Sequence, residues 1–144
     1  MARLLGIDFG EKRLGLALSD QSRTIASPLT VYERRDLAED IEFLKELSTR
    51  YGIAEIVLGL PLTMDGSLGE KAQHVLAFKR LLEGRLKIPV STFDERLTTA
   101  EAERVLLQAD LSRRKRKQRR DALAAVLILQ SYLNCKGARP CAPT

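Results

Sequence analysis

The sequence predicts an α/β domain built on a five-stranded mixed sheet, three antiparallel strands then two parallel ones, with helices on both faces. Three observations carry this reading. Two short, alternating apolar stretches joined by a glycine-containing link open the chain. A continuous apolar run, AEIVLGLPL, follows near the middle, the composition of a strand buried on both sides. Helix-periodic segments with capping residues separate the later strands.

Taken in order, Arg3 to Phe9 reads as the first strand and Arg13 to Ser19 as the second. The Gly10–Lys12 link is short enough for a hairpin. Ser27 to Glu33, rich in Thr, Val and Tyr, is the third strand. Asp36 caps a helix, with Glu39 three residues later, and Leu37, Ile41, Leu44 and Leu47 keep helical spacing up to Gly52. After the central strand and the loop TMDGSLG, a helix is predicted from about Glu70 to Glu83, stopped by Gly84. IPVSTF is the fifth strand and runs into DER. Thr98 with Glu101 opens a helix to about Leu111, and a last helix runs from about Arg119 to Leu133. The 144 residues fit one domain, placed at residues 1–134, with a flexible tail over residues 135–144.

Composition narrows the function classes. The longest apolar run, Ala122 to Leu129, falls far short of the roughly 20 residues a membrane span needs. The N-terminus lacks the pattern of a signal peptide, so a cytoplasmic protein is expected. Cys135 and Cys141 are expected as free thiols, and with His74 the only histidine a zinc site is not supported. His74 reads as a surface or half-buried helical residue. Residues 113–120, RRKRKQRR, carry seven basic groups, more than the whole net charge of +5. The rest of the chain is therefore mildly acidic, and this one segment is suited to a polyanion. A solvated loop is the competing reading of that run.

Three sets of carboxylates stand in unusual places. Asp8 lies on the same strand face as Leu4, Gly6 and Gly10, flanked by residues too small to need that space. Asp121 shares a helical face with Ala124, Ala125 and Ile128, as on a helix pressed against a sheet. A favourable position at a helix N-terminus explains Asp121 equally well. Asp94 and Glu95 follow a buried strand at the end where α/β folds place their sites. Arg96 is available to pair with one of them or with a phosphate. Three carboxylates at one spot need a cation between them, and hard oxygen donors suit Mg²⁺ or Mn²⁺. With a basic segment just before Asp121, the set reads as a nuclease.

GIDFGEKRLGLALSD, VLGLPLTMDGS, DERLTTAEAE and RRDALAAVLILQSYL together resemble the bacterial YqgF family, also called RuvX. The resemblance runs from Leu5 to about Leu133 with all four motifs in order. It implies an RNase H-like fold related to the resolvase RuvC, and a cytoplasmic role in maturing the 5′ end of the small-subunit ribosomal RNA precursor. It also implies Asp8, Glu95 and Asp121 as catalytic metal ligands, with Asp94 the alternative to Glu95, and Mg²⁺ or Mn²⁺ as cofactor. Lys12, Arg13, Arg96, Arg113, Arg114, Lys115, Arg116, Lys117, Arg119 and Arg120 are then the candidate nucleic-acid contacts, and the Gly59–Ser67 loop a rim of the site. Partners implied are a structured RNA precursor or branched DNA, and ribosome-associated proteins, with no membrane; a monomer and a homodimer both stay open. One departure stands out: RuvC-like enzymes carry a carboxylate at the end of the fourth strand, and here that strand ends LGLPL.

Two other classes compete. A non-catalytic RNA-binding assembly factor needs only the basic segment. A nucleotide-clamping protein of the actin and sugar-kinase type would use DFG beside Lys as a phosphate loop, but needs two such domains where the chain has length for one.

Overall fold

The computed structural model of the chain describes residues 3–97 and 120–138, with the side chains of residues 120, 121 and 136–138 excepted. The helix expected over Thr98–Leu111 and the basic residues Arg113 to Arg119 lie outside the described residues.

Seven elements precede the gap: β1 (Arg3–Phe9), β2 (Arg13–Ser19), β3 (Ala26–Glu33), α1 (Leu37–Tyr51), β4 (Ile53–Leu60), α2 (Glu70–Leu86) and β5 (Val90–Asp94). A 3₁₀ turn over Glu95–Leu97 follows β5, and a helix, α3, spans Arg120–Ala138. The strands form one sheet in the order β3-β2-β1-β4-β5. β1 pairs with β2 and β2 with β3 antiparallel, while β1–β4 and β4–β5 are parallel. This is the predicted sheet, with β1 at its centre.

Side-chain alternation divides the core. Leu5, Ile7, Leu14, Leu16, Ile56 and Leu58 face α1 and α2 and pack on Ile41, Leu44, Val75 and Phe78. Leu4, Ala17, Val57 and Phe93 face the other way, onto Ala125, Val126, Ile128 and Leu129 of α3. α3 sits close because Gly6 has no side chain: a Cβ there would meet Leu129 Cβ at 2.8 Å and the Ala125 carbonyl at 3.1 Å. Polar locks hold the helix in register. Gln130 accepts from Ala26 N at 2.9 Å and donates to Thr24 O at 3.0 Å. Tyr132 donates its hydroxyl to Glu55, which also accepts from Ser91 at 2.8 Å.

The α1 caps are as the sequence predicts: Asp36 accepts from Glu39 N, and Gly52 takes a left-handed conformation at the C-terminus. Three expectations are corrected. α2 passes through Gly84 to Leu86, and Lys87 takes the left-handed cap position instead. Leu86 and Ile88 pack against the core, so apolar burial carries the helix past the glycine. Cys135 is disulfide-bonded rather than a free thiol; Cys141 lies outside the described residues. α3 also continues one turn beyond Leu133, to Ala138.

A buried ion pair absent from the sequence reading ties the turn after β1 to the helical layer. Asp40 is fully buried and accepts from Arg34 Nε and from Arg35 N, both at 2.9 Å. Arg34 also donates from Nη1 to Gly10 O at 3.1 Å and from its backbone N to Lys12 O at 2.8 Å.

Candidate active site

Asp8 is the penultimate residue of β1 and half-buried, opposite Gly15 of β2. Beyond it Gly10 N donates to Arg13 O at 3.0 Å and closes the hairpin, which leaves Lys12 exposed beside the strand end. The parallel strands β1, β4 and β5 all end on this side of the sheet. A cleft of about 590 Å³ opens there, lined by Asp8, Lys12, Pro61, Lys71, His74 and Glu95 among others.

The adjacent acids of DER behave differently. Asp94 closes β5 and binds Arg96, accepting from Nε at 3.0 Å and from Nη2 at 2.7 Å. These bonds hold its carboxyl below the usual range. Arg96, expected to pair with an acid or a phosphate, thus pairs with Asp94. Its guanidinium lies beside Gly66, where a Cβ would meet Nη1 at 3.4 Å, and so braces the loop after β4. In that loop Asp65 accepts from Thr63 Oγ1 and from Ser67 N, which lowers its carboxyl to about 2. Of the Gly59–Ser67 segment, Pro61 reaches the cleft.

Glu95 turns the other way. A Cβ on Gly59 would meet its Cγ at 3.1 Å and its Cδ at 3.2 Å. The β4 glycine therefore leaves space that Ile128 of α3, with Cδ1 at 2.4 Å, and Glu95 of the turn after β5 share. This is the end of β4, the place where the sequence lacks a carboxylate of its own. Burial pushes the Glu95 carboxyl up to about 7, the negative charges of Asp8 and Asp94 add to the rise, and Lys71 opposes it. Asp8 and Glu95 are therefore near enough to repel, in a cleft with a lysine as the opposing charge.

Asp121, the third acid expected from the sequence, lies on α3 in the other layer. Tyr132 bonds Glu55, which pairs with Leu4 of β1, while Ala125 backs onto Gly6. The helix thus runs antiparallel to β1. The four residues from Ala125 back to Asp121 rise about 6 Å, close to the roughly 6.6 Å of two strand residues. That carries the Asp121 backbone toward the level of Asp8; its side chain lies outside the described residues. Among the described residues no group of three or more His, Cys, Asp or Glu side chains is set to hold a metal. The donors that are present fit a hard divalent cation: two carboxylates in mutual repulsion, small residues at Gly15 and Gly59, and open space before them.

Sequence reasoning missed Lys71 and His74 as cleft residues. Their i, i+3 spacing signals a shared face of α2, but nothing local says that this face meets the end of β1.

The sequence matches the family described as "RuvX: Holliday junction resolvase" over residues 2–135. A Moorella thermoacetica protein named "Putative pre-16S rRNA nuclease" is 53% identical over 135 residues, 94% of this chain and 96% of its own length. A protein of the same name from Syntrophomonas wolfei is 48% identical over 132 residues, 92% of this chain and 94% of its own length. Among solved structures, Thermus thermophilus RuvC in complex with a Holliday junction substrate superposes with a TM-score of 0.59 at 15% identity, covering 94% of this chain and 96% of that one. The yeast mitochondrial Holliday junction resolvase gives 0.58 at 13% identity, covering 94% and 79%. At these identities the structures speak for the RNase H-like fold alone.

Proposed function

This chain belongs to the RuvX family, and from that premise we propose that it is a metal-dependent nuclease acting on the 16S ribosomal RNA precursor in the cytoplasm. The observation that carries the reading is the approach of Glu95 to Asp8 across Gly59, which assembles two carboxylates at the strand ends. The RNA substrate is favoured over a four-way DNA junction by the names of the relatives at 48% and 53% identity.

We assign Asp8, Glu95 and Asp121 as the ligands, with Asp94 set aside because it is committed to Arg96. A bound Mg²⁺ or Mn²⁺ supplies an activated water and stabilises the leaving oxygen of a phosphodiester. The remaining steps belong to the chain itself. Lys12 and Lys71 line the cleft and attract the phosphate. Asp8 is carried by a central strand and Glu95 is lodged against β4, so both carboxylates are placed before substrate arrives. The basic residues of 113–120 grip flanking phosphates, which positions the strand without reading its sequence.

The test is cleavage of end-labelled precursor RNA, with a four-way DNA junction in parallel, in Mg²⁺, Mn²⁺ or EDTA. Metal-dependent cutting of the RNA, lost in Asp8→Asn with folding and RNA binding retained, is the expected result. Paired cuts in the junction alone would replace the RNA reading. Salt-sensitive binding with no cleavage, and a silent Asp8→Asn phenotype in cells, would favour the assembly factor.

A further inference from the structure

Beside the cleft, and sharing Phe9, Glu11 and His74 with it, lies a second hollow of about 320 Å³. Its floor is aromatic, with the two rings tilted 44° to one another. Phe9 meets Phe78 with ring centroids 4.7 Å apart, and the Arg34 guanidinium carbon stands 4.7 Å from the Phe9 centroid. Asp40 and the Gly10 carbonyl hold that guanidinium in place. The walls are Leu37 of α1 and Leu81 of α2, which leave 41% and 36% of their surface exposed.

Two large aliphatic side chains held in water around an aromatic and cationic floor call for a flat, apolar-faced ligand. The neighbouring cleft says which one. Asp8 and Phe9 are consecutive in β1, with Cα atoms about 3.8 Å apart, and they point to opposite faces. The cleft and the hollow share Phe9, Glu11 and His74 as a common rim, so a strand whose phosphate sits in the cleft can turn over that rim into the hollow. We propose that the hollow is a nucleobase subsite. It takes one unpaired base flanking the scissile phosphate, stacked over Phe9 and Arg34 between Leu37 and Leu81. The inference rests on the nuclease reading for the place of the phosphate. Bases splayed from single strands are held in this way by aromatic rings and guanidinium planes. A base inside a duplex would first have to leave its stack, at a cost of a few kcal/mol. The subsite therefore selects single-stranded or frayed RNA.

The chain has no tryptophan, so Leu81→Trp places a single indole on the wall. Its emission is followed in EDTA with a single-stranded oligoribonucleotide and with the same sequence annealed into a blunt duplex. Quenching by the single strand and not by the duplex is expected. The double variant Leu37→Ser with Leu81→Ser, altered where both residues are exposed, should lose about tenfold or more in single-strand affinity. Its salt dependence should keep the same slope, because no phosphate contact is removed. Equal quenching by both RNAs, or no quenching with unchanged affinity of the double variant, overturns the proposal. A change in self-association by sedimentation at unchanged RNA affinity overturns it too and gives the face to a second copy. Binding is read without metal, so a failure of cleavage in Mg²⁺ removes the nuclease reading and not this result.

Discussion

Glu95 occupies the space that a side chain on Gly59 would fill, with its Cγ 3.1 Å and its Cδ 3.2 Å from that glycine's would-be Cβ. One strand leaves a gap and its neighbour closes it. Gly59→Ala should therefore act on the fold as well as on the site. Its methyl group would meet Cδ1 of the buried Ile128 at 2.4 Å, closer than it meets Glu95. The displaced carboxylate should lower kcat, by less than the roughly hundredfold that a misplacement of about an ångström costs. Single-turnover cleavage beside a thermal melt checks this, with a loss in both rate and Tm expected.

The two acids of DER should separate cleanly. Glu95→Gln should abolish metal-dependent cleavage. Asp94→Asn weakens the hold on Arg96, and through it the brace on Gly66, so a loss of about tenfold or less is expected. Cleavage rates of the two variants at saturating Mg²⁺ decide it. Equal losses would return Asp94 to the ligand set.

Without metal, Glu95 carries a pH signature. Its carboxyl is raised from the ordinary 4.5 to about 7 by burial first and then by Asp8 and Asp94. A raised acid favours the protonated folded form, so this group costs stability as pH rises from about 4.5 to about 7, and no more above that. In EDTA at pH 8, Glu95→Gln should melt a few degrees above the parent. The gap should close near pH 4, and Mg²⁺ should narrow it at pH 8 by stabilising the parent alone.

Arg34 supports the turn that carries Lys12. Arg34→Ala leaves the fully buried carboxylate of Asp40 without its charged partner, although the bond from Arg35 N remains. Breaking such a pair from one side costs about 3 kcal/mol or more, readable by urea denaturation. Arg34→Ala combined with Asp40→Leu should recover part of the stability but not the RNA affinity, because the bond to Gly10 O and the floor under Phe9 stay lost.

The residues that sequence could place are those whose signal is local. Alternation assigned Leu5 and Ile7 to one layer and Leu4 to the other, and Asp36 and Gly52 marked the ends of α1. Gly6 and Ala125 announced a close helix before the helix was seen. What stayed hidden depends on partners distant in the chain. The end of α2 was set by the burial of Leu86 rather than by Gly84. The choice between Asp94 and Glu95 turns on a glycine 36 positions earlier, and the worth of Arg34 on a buried Asp40. His74 reads as an ordinary helical surface residue until α2 is laid against the end of β1.

Among the described elements α3 covers the face formed by Leu4, Val57 and Phe93, and it is the last of them to be synthesised. During translation the five strands, α1 and α2 all emerge before α3, so β1 waits for these partners some 120 residues downstream, a late, long-range closure. Because α3 also bears Asp121, completion of the core and delivery of the third acid of the proposed ligand set are one event. A half-made chain would be sticky on one side and catalytically silent, and an enzyme proposed to cut ribosomal RNA would be armed only after its own ribosome had finished the part that matters.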